Sequence, residues 1–183
     1  ISGDYLIIAL GAEGRPEAVP GLAEGGHNLY DLDGVLGLRR ALGAFREGRV
    51  AVTVASLPFK CPGAPYEAAM LIEASLRDRG LGERARVDVY TPEPLPMPVA
   101  GKALGEAVKG MLEAKGIGYH PQRKLQAVDA ARRELAFEGG ERAGYDLLVT
   151  IPPHRCPAAV KEAGLTGEAS WVPVDRETLQ TSH

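Results

Sequence analysis

The sequence has 183 residues, 45% of them hydrophobic and 25% charged, with a formal net charge of −3. That length and apolar content suffice for one core domain, and the interleaved acids and bases leave no basic stripe for a nucleic-acid backbone. No run approaches the roughly 18 to 20 consecutive apolar residues of a membrane span, and the first residues carry no signal-type segment, so a cytoplasmic protein is expected.

Cysteine usage agrees with a reducing compartment. Cys61 and Cys156 are too few for a disulfide scaffold and are expected as free thiols unless they do redox work. The chain opens on Ile1 rather than Met and runs almost at once into Tyr5-Leu6-Ile7-Ile8-Ala9-Leu10, which predicts a strand. With a second strand-like run, Trp171 to Val174, just before the other end, the pattern predicts the middle piece of a longer protein.

After the opening strand, residues 11–16 form a turn and the Gly- and Pro-bearing stretch through Gly26 a loop or linker. Asp31 or Asp33 caps the next helix, with Val35, Leu38, Leu42 and Phe45 on its inner face and Gly48 ending it. Val50-Ala51-Val52-Thr53-Val54 is a continuous β-branched run of the kind buried on both faces in a parallel sheet, and predicts a central strand over 49–55. A loop through Gly63 leads to a helix from about Ala64 to Arg79, with Ala68, Leu71, Ile72 and Leu76 inward and Glu73, Arg77 and Asp78 outward.

Arg86 to Tyr90 is the next strand, followed by a stiff extended loop carrying Pro92, Pro94, Pro96 and Pro98. A helix over 102–115 places Leu104, Val108, Met111 and Leu112 on one face, and a short strand over 117–120 returns to the sheet. Residues 124–129 and 133–138 flank a polar turn, 145–151 form another strand, 158–163 a short helix and 171–174 a last strand. The sum is an α/β fold: a Rossmann-like parallel sheet flanked by helices, with a small antiparallel β-meander inserted.

The loop after the first βαβ strand is where such folds meet a ligand's phosphates, and here it reads Ser56-Leu57-Pro58-Phe59-Lys60-Cys61-Pro62-Gly63-Ala64-Pro65-Tyr66-Glu67. The G-x-G-x-x-G fingerprint is missing, and Phe59 and the prolines stand where a pyrophosphate needs glycine. Tyr90-Thr91 occupy the place of the ribose-binding acid, with Glu93 beyond. The loop offers instead a cysteine beside Lys60 and just before a helix, a setting that favours a nucleophilic thiolate; the alternative is a buried thiol acting as a small apolar side chain.

The run Lys60-Cys61-Pro62-Gly63-Ala64-Pro65-Tyr66-Glu67-Ala68-Ala69 resembles the corresponding loop and helix of the sulfide:quinone oxidoreductases and flavocytochrome c sulfide dehydrogenase flavoproteins. Residues 5–12 are similar to the strand and turn leaving the FAD domain in that superfamily. Val174-Asp175 with Thr178-Leu179-Gln180-Thr181 resembles the segment before its second FAD-contacting motif. The resemblance implies a division into 1–30, a strand and linker leaving an FAD domain; 31–168, a second Rossmann-like domain of the pyridine-nucleotide type; and 169–183, a strand returning toward the FAD domain. It implies that Cys61 carries persulfide sulfur beside a flavin, that Glu67 is an acid facing the ring, and that Gly11, Ala12, Lys60 and Pro62 lie with the cofactor. Cys156, in Pro152-Pro153-His154-Arg155-Cys156-Pro157, falls on the loop by which the family's chain returns toward the cofactor and is a candidate partner for Cys61.

Against the family's pattern, the glycine-rich FAD fingerprint, the second FAD motif and the quinone-side domain are all missing from this sequence. FAD is therefore expected in the full-length protein and not on this piece alone, which by itself is expected to be inactive. The resemblance further implies a small-molecule sulfur substrate, an electron acceptor such as quinone, membrane contact only through absent regions, and a homodimer. Two other functions remain: a type II NADH:quinone dehydrogenase relative, and a non-catalytic α/β binding module. No metal site is expected, because His154 with Cys156 is only a pair and His27 and His120 lie on unrelated segments.

Overall fold

The structure, a computed structural model, describes residues 4–168 and 170–182. In chain order its elements are β1 (Glu13–Gly14), α1 (Leu22–Gly25), β2 (His27–Asn28), α2 (Leu32–Ala44), β3 (Gly48–Val54), α3 (Ala64–Asp78), β4 (Ala85–Tyr90), α4 (Lys102–Ala114) and β5 (Gly118–His120). There follow β6 (Leu125–Asp129), β7 (Glu134–Phe137), β8 (Arg142–Gly144), β9 (Leu147–Ile151), β10 (His154–Arg155) and α5 (Ala158–Glu162). The chain divides into two units, residues 15–153 and the pair of segments 1–14 and 154–183.

Residues 15–153 carry the expected α/β fold. Five strands lie in the order β2-β9-β3-β4-β5, every neighbouring pair parallel, and β6-β7-β8 form a separate antiparallel meander. The run Val50 to Val54 is central, as its composition requires, and each neighbouring residue serves a different face. Val50, Val52, Val87, Val89, Leu147 and Val149 join Leu38 of α2, Ile72 and Leu76 of α3 and Leu112 of α4 in one core. Ala51, Tyr90 and Leu148 point the other way, into a second core closed by Leu125, Leu135 and Phe137 of the meander and by Leu22 of α1. The meander thus covers a sheet face that would otherwise expose apolar side chains to water, which is why β3 and β9 tolerate unbroken hydrophobic runs.

Several local expectations change. Asp31, not Asp33, caps α2, its carboxylate accepting from the Gly34 amide at 2.6 Å. The inward stripe of α3 is Tyr66, Ala69, Ile72 and Leu76, whereas Leu71 is 63% exposed; the phenol ring supplies apolar area that its polar tip conceals in a hydrophobicity count. On α4, Val108 and Leu112 are buried while Leu104 and Met111 face outward, and on α2 Val35 also faces outward. The stretch through Gly26 is not a plain linker, because it folds as α1, and the next two residues add β2 to the sheet edge beside β9. The meander gains a third strand, β8, whose short charged sequence gives no alternation to read.

The second unit is built from short pieces. β1 pairs antiparallel with β10, and Arg155 bridges to the Glu13 carboxylate at 2.8 Å, which holds that carboxyl below its usual range. Residues 5–10 do not form the expected strand: among the described residues they have no ladder partner, and Tyr5 and Ile7 are 96% and 87% exposed. The strand expected at 171–174 is likewise replaced by local turns. The Trp171 carbonyl accepts from the Gly167 amide at 2.8 Å, and the Asp175 carboxylate accepts from Thr178 and Glu177, which lowers its pKa. The helix expected near 158–163 is α5.

Candidate functional site

The loop from Ser56 to Gly63 leaves the carboxyl end of β3, the middle strand of the sheet, and feeds α3. Ligand sites of open α/β sheets gather at that end. Cys61 sits there in a left-handed conformation, φ 52°, with its residue exposed, on the turn just before the helix cap Gly63. Lys60 is exposed as well, its ammonium 5.3 Å from the centre of the Tyr30 ring. The Tyr30 hydroxyl donates to the Lys60 carbonyl and lies 3.4 Å from that of Cys61, so the loop is tied by its backbone to the segment after β2. Burial, with the negative charge of a Cys61 thiolate second, pushes the Tyr30 phenol up to about 12.

The head of α3 has little left to offer a phosphate. The Ala64 amide donates to the Cys61 carbonyl at 3.0 Å and the Tyr66 amide to the Gly63 carbonyl at 3.2 Å, while Pro65 has no N–H. The donors that a dinucleotide fold turns toward pyrophosphate are spent within the turn itself.

The ribose position is closed by different means. Glu93 follows β4 but is only 3% exposed, and its carboxylate turns inward to accept hydrogen bonds from the Tyr66 hydroxyl and, at 3.4 Å, from Thr91 Oγ1. The Glu93 amide donates back to Thr91 Oγ1 at 3.2 Å, and Tyr119 packs edge-on against Tyr66 with ring centres 6.3 Å apart. Burial raises the Glu93 pKa despite the two hydroxyl donors, and it raises those of Tyr66 and Tyr119 too. A carboxylate that is buried and engaged by two hydroxyls is not presented to the hydroxyls of a ribose in solvent.

Of the residues singled out in the sequence, Lys60, Cys61 and Pro62 share one loop, and Glu67 is exposed in the first turn of the helix that follows. Gly11, exposed with φ 70°, Ala12, and Cys156, buried at 8% exposure, belong to the other unit. The role of Tyr30, Thr91, Glu93 and Tyr119 was not apparent from the sequence. Only Tyr66 had a signal there, its spacing of three, six and ten residues from Ala69, Ile72 and Leu76. Among the described residues no cluster of three or more His, Cys, Asp or Glu could hold a metal, and no helix is long and apolar enough to cross a membrane.

A family model described as the central part of the flavoprotein chain of sulfide dehydrogenase (flavocytochrome c) matches residues 36–152, which include the cysteine loop, α3 and Glu93. The chain belongs to this family. The mitochondrial sulfide:quinone oxidoreductase of Mus musculus is 31% identical over 192 residues, covering 98% of this chain and 42% of the relative. That of Dictyostelium discoideum is 28% identical, again covering 98% of this chain and 42% of the relative. The chain therefore spans less than half the length of these curated relatives. The solved structure of the sulfide:quinone oxidoreductase from Aquifex aeolicus superposes with a TM-score of 0.80 at 20% identity, covering 96% of this chain and 43% of that one, and shares the fold.

Proposed function

We propose that this chain is the central domain of an FAD-dependent oxidoreductase that withdraws electrons from a sulfur substrate through Cys61. The observation that carries the proposal is an exposed thiol on a left-handed turn at the carboxyl end of the central strand, with the helix amides behind it already satisfied. Such a loop presents sulfur outward and gives no cradle to a pyridine nucleotide. The family match and the share of each relative that is covered support a domain reading in which 31–168 is the second nucleotide-type domain, with 1–30 and 169–183 as passages to and from an FAD-binding domain.

The fit to FAD rests on the same geometry. The exposed sulfur beside Lys60 and Pro62 would leave this loop open to FAD, and we assign Lys60 and Pro62 and, separately, Gly11 and Ala12 to the residues that would hold that cofactor. When bound, FAD supplies a two-electron acceptor. The chain's own contribution is the sulfur that holds the substrate: Cys61 would be joined to hydrosulfide by an S–S bond in a two-electron oxidation, the S–H proton leaving and both electrons going to the bound FAD. Glu67, exposed one turn into α3, takes up that proton. Cys156 is proposed as the thiol that relieves Cys61 of its sulfur. The electrons pass to an acceptor of the quinone class, and any membrane contact is made by chain outside this sequence.

The test is sulfide-dependent flavin reduction by the full-length natural protein and its Cys61→Ser variant. Loss of reduction in the variant, with flavin content unchanged, is expected; an unchanged rate removes Cys61 from the chemistry. A Cys156→Ser variant that reduces flavin normally but stalls after one turnover fits the relay, and normal turnover removes Cys156 from it.

A further inference from the structure

At the opposite, amino-terminal ends of the strands lies a cleft of about 600 Å³, wholly within residues 15–153, whose lining includes Arg49, Arg84, Arg86, Arg132 and Arg133. Only two carboxylates line it with them, Glu83 and Asp146. The chain as a whole is acidic, and its bases are interleaved with acids along the sequence. Folding gathers these arginines from three separate segments: the start of β3, the approach to β4 and the turn between β6 and β7.

Two of the five guanidiniums are engaged. Arg49 pairs with Asp88 at 3.0 Å, and Arg133 stands 3.8 Å from Asp146. Among the described residues no carboxylate lies within ion-pair distance of Arg84, Arg86 or Arg132, and all three are exposed. Like charges crowded into a shallow, open concavity repel one another and together attract an anion that settles among them.

The frame that holds them is stiff. The Gly48 amide donates to the Arg84 carbonyl at 2.9 Å, the Arg49 amide to Asp146 Oδ2 at 2.7 Å, the Asp146 amide to the Arg49 carbonyl at 2.8 Å, and the Tyr145 amide to the Arg133 carbonyl at 2.9 Å. Gly48 has φ 109°, and a Cβ there would meet Asp146 Oδ2 at 2.1 Å, so only glycine permits this closure. Arg133 holds a left-handed φ of 54°, which sets the orientation of its turn over the cleft.

We propose that this cleft binds a ligand carrying adjacent phosphates, of the pyrophosphate class. Planar guanidiniums bind phosphate oxygens in bidentate fashion, and two linked phosphates use several of them at once where a single small anion uses one or two. The volume falls in the range of small-ligand sites. The cleft lies at the end of the sheet opposite Cys61, so it is independent of the sulfur chemistry and is not the site that a dinucleotide takes at the switch point.

The test is calorimetric titration of the intact natural protein with sodium pyrophosphate at about 0.15 M salt, where weak surface condensation is screened. One saturable site with Kd below about 1 mM is expected. An Arg84→Gln/Arg132→Gln variant, which removes no ion pair of the native fold, should weaken binding at least about tenfold, whereas Arg39→Gln/Arg40→Gln on exposed α2 should leave it unchanged. Flotation with phosphatidylcholine vesicles containing diacylglycerol pyrophosphate, a lipid that carries two linked phosphates, distinguishes a headgroup source of pyrophosphate from a free one. Pyrophosphate binding without flotation identifies a soluble ligand, and flotation lost in the Arg84/Arg132 variant identifies a headgroup. The proposal is overturned by no saturable pyrophosphate site, by sulfate binding as tightly as pyrophosphate, or by equal binding in natural protein and the Arg84/Arg132 variant. Arg86→Gln alone serves as the second variant should the double one fail to fold, with the same two outcomes.

Discussion

Replacing Tyr66 with Phe keeps the ring in its buried place and removes only the hydroxyl that supports Glu93. The ring is 1% exposed and the carboxylate it serves 3%, so water cannot substitute for the lost donor. What remains to Oε2 is Thr91 Oγ1 at 3.4 Å, a long contact. A hydrogen bond to a buried charged group contributes about 1.5–3 kcal/mol, and one between neutral partners about 1 kcal/mol. Glu93 has a raised pKa in the fold, so its contribution to stability is full below the unfolded value of about 4.3 and is lost as pH rises through the folded value. The Tyr66 hydroxyl opposes that loss by favouring the carboxylate, and its removal should therefore cost more in alkali than in acid. Urea unfolding should show Tyr66→Phe destabilised by about 1.5–3 kcal/mol at about pH 8 and about 1 kcal/mol at about pH 4, with Tm lower by roughly 3–12 °C at the higher pH. Glu93→Gln should flatten the difference. A loss of equal size at both pH values, or none at either, refutes the argument that the hydroxyl supports a buried ionisable carboxyl.

Asp31→Ala removes the cap that accepts from the Gly34 amide and should cost about 1 kcal/mol by thermal unfolding. Leu71→Gln, on the outward side of α3, should change stability by no more than about 0.5 kcal/mol; a loss of core size would show that α3 turns a different face inward. Rapid mixing of the full-length protein with NADH should leave its flavin absorbance unchanged, because the Ala64 and Tyr66 amides and the Glu93 carboxylate are already engaged. Fast bleaching would contradict that geometry.

Much of the fold was legible because its central strands are buried on two faces. A run such as Val50 to Val54 has no polar position to confuse its reading, and Asp31 before a periodic stretch is a strong helix start. What escaped were the elements that depend on partners. β2 and β8 are too short to carry a period, and the apolar run 5–10 has strand composition but no ladder among the described residues. The site divides in the same way. The cysteine loop was visible in the order of its residues, while the closure of the ribose position was not, since Glu93 and Tyr66 lie 27 residues apart and meet only when α3 packs beside β4. The arginine cleft escaped for the same reason, its members spread from 49 to 133 in sequence.

The most direct measurement for the sulfur chemistry is peptide mass mapping of the full-length Cys156→Ser variant, in which the sulfur cannot be passed on, alkylated after anaerobic exposure to sulfide in the oxidised flavin state. A gain of about 32 Da, one sulfur atom, on the peptide bearing Cys61 is the predicted result. Full flavin reduction with that peptide carrying only the plain alkylated thiol would contradict it.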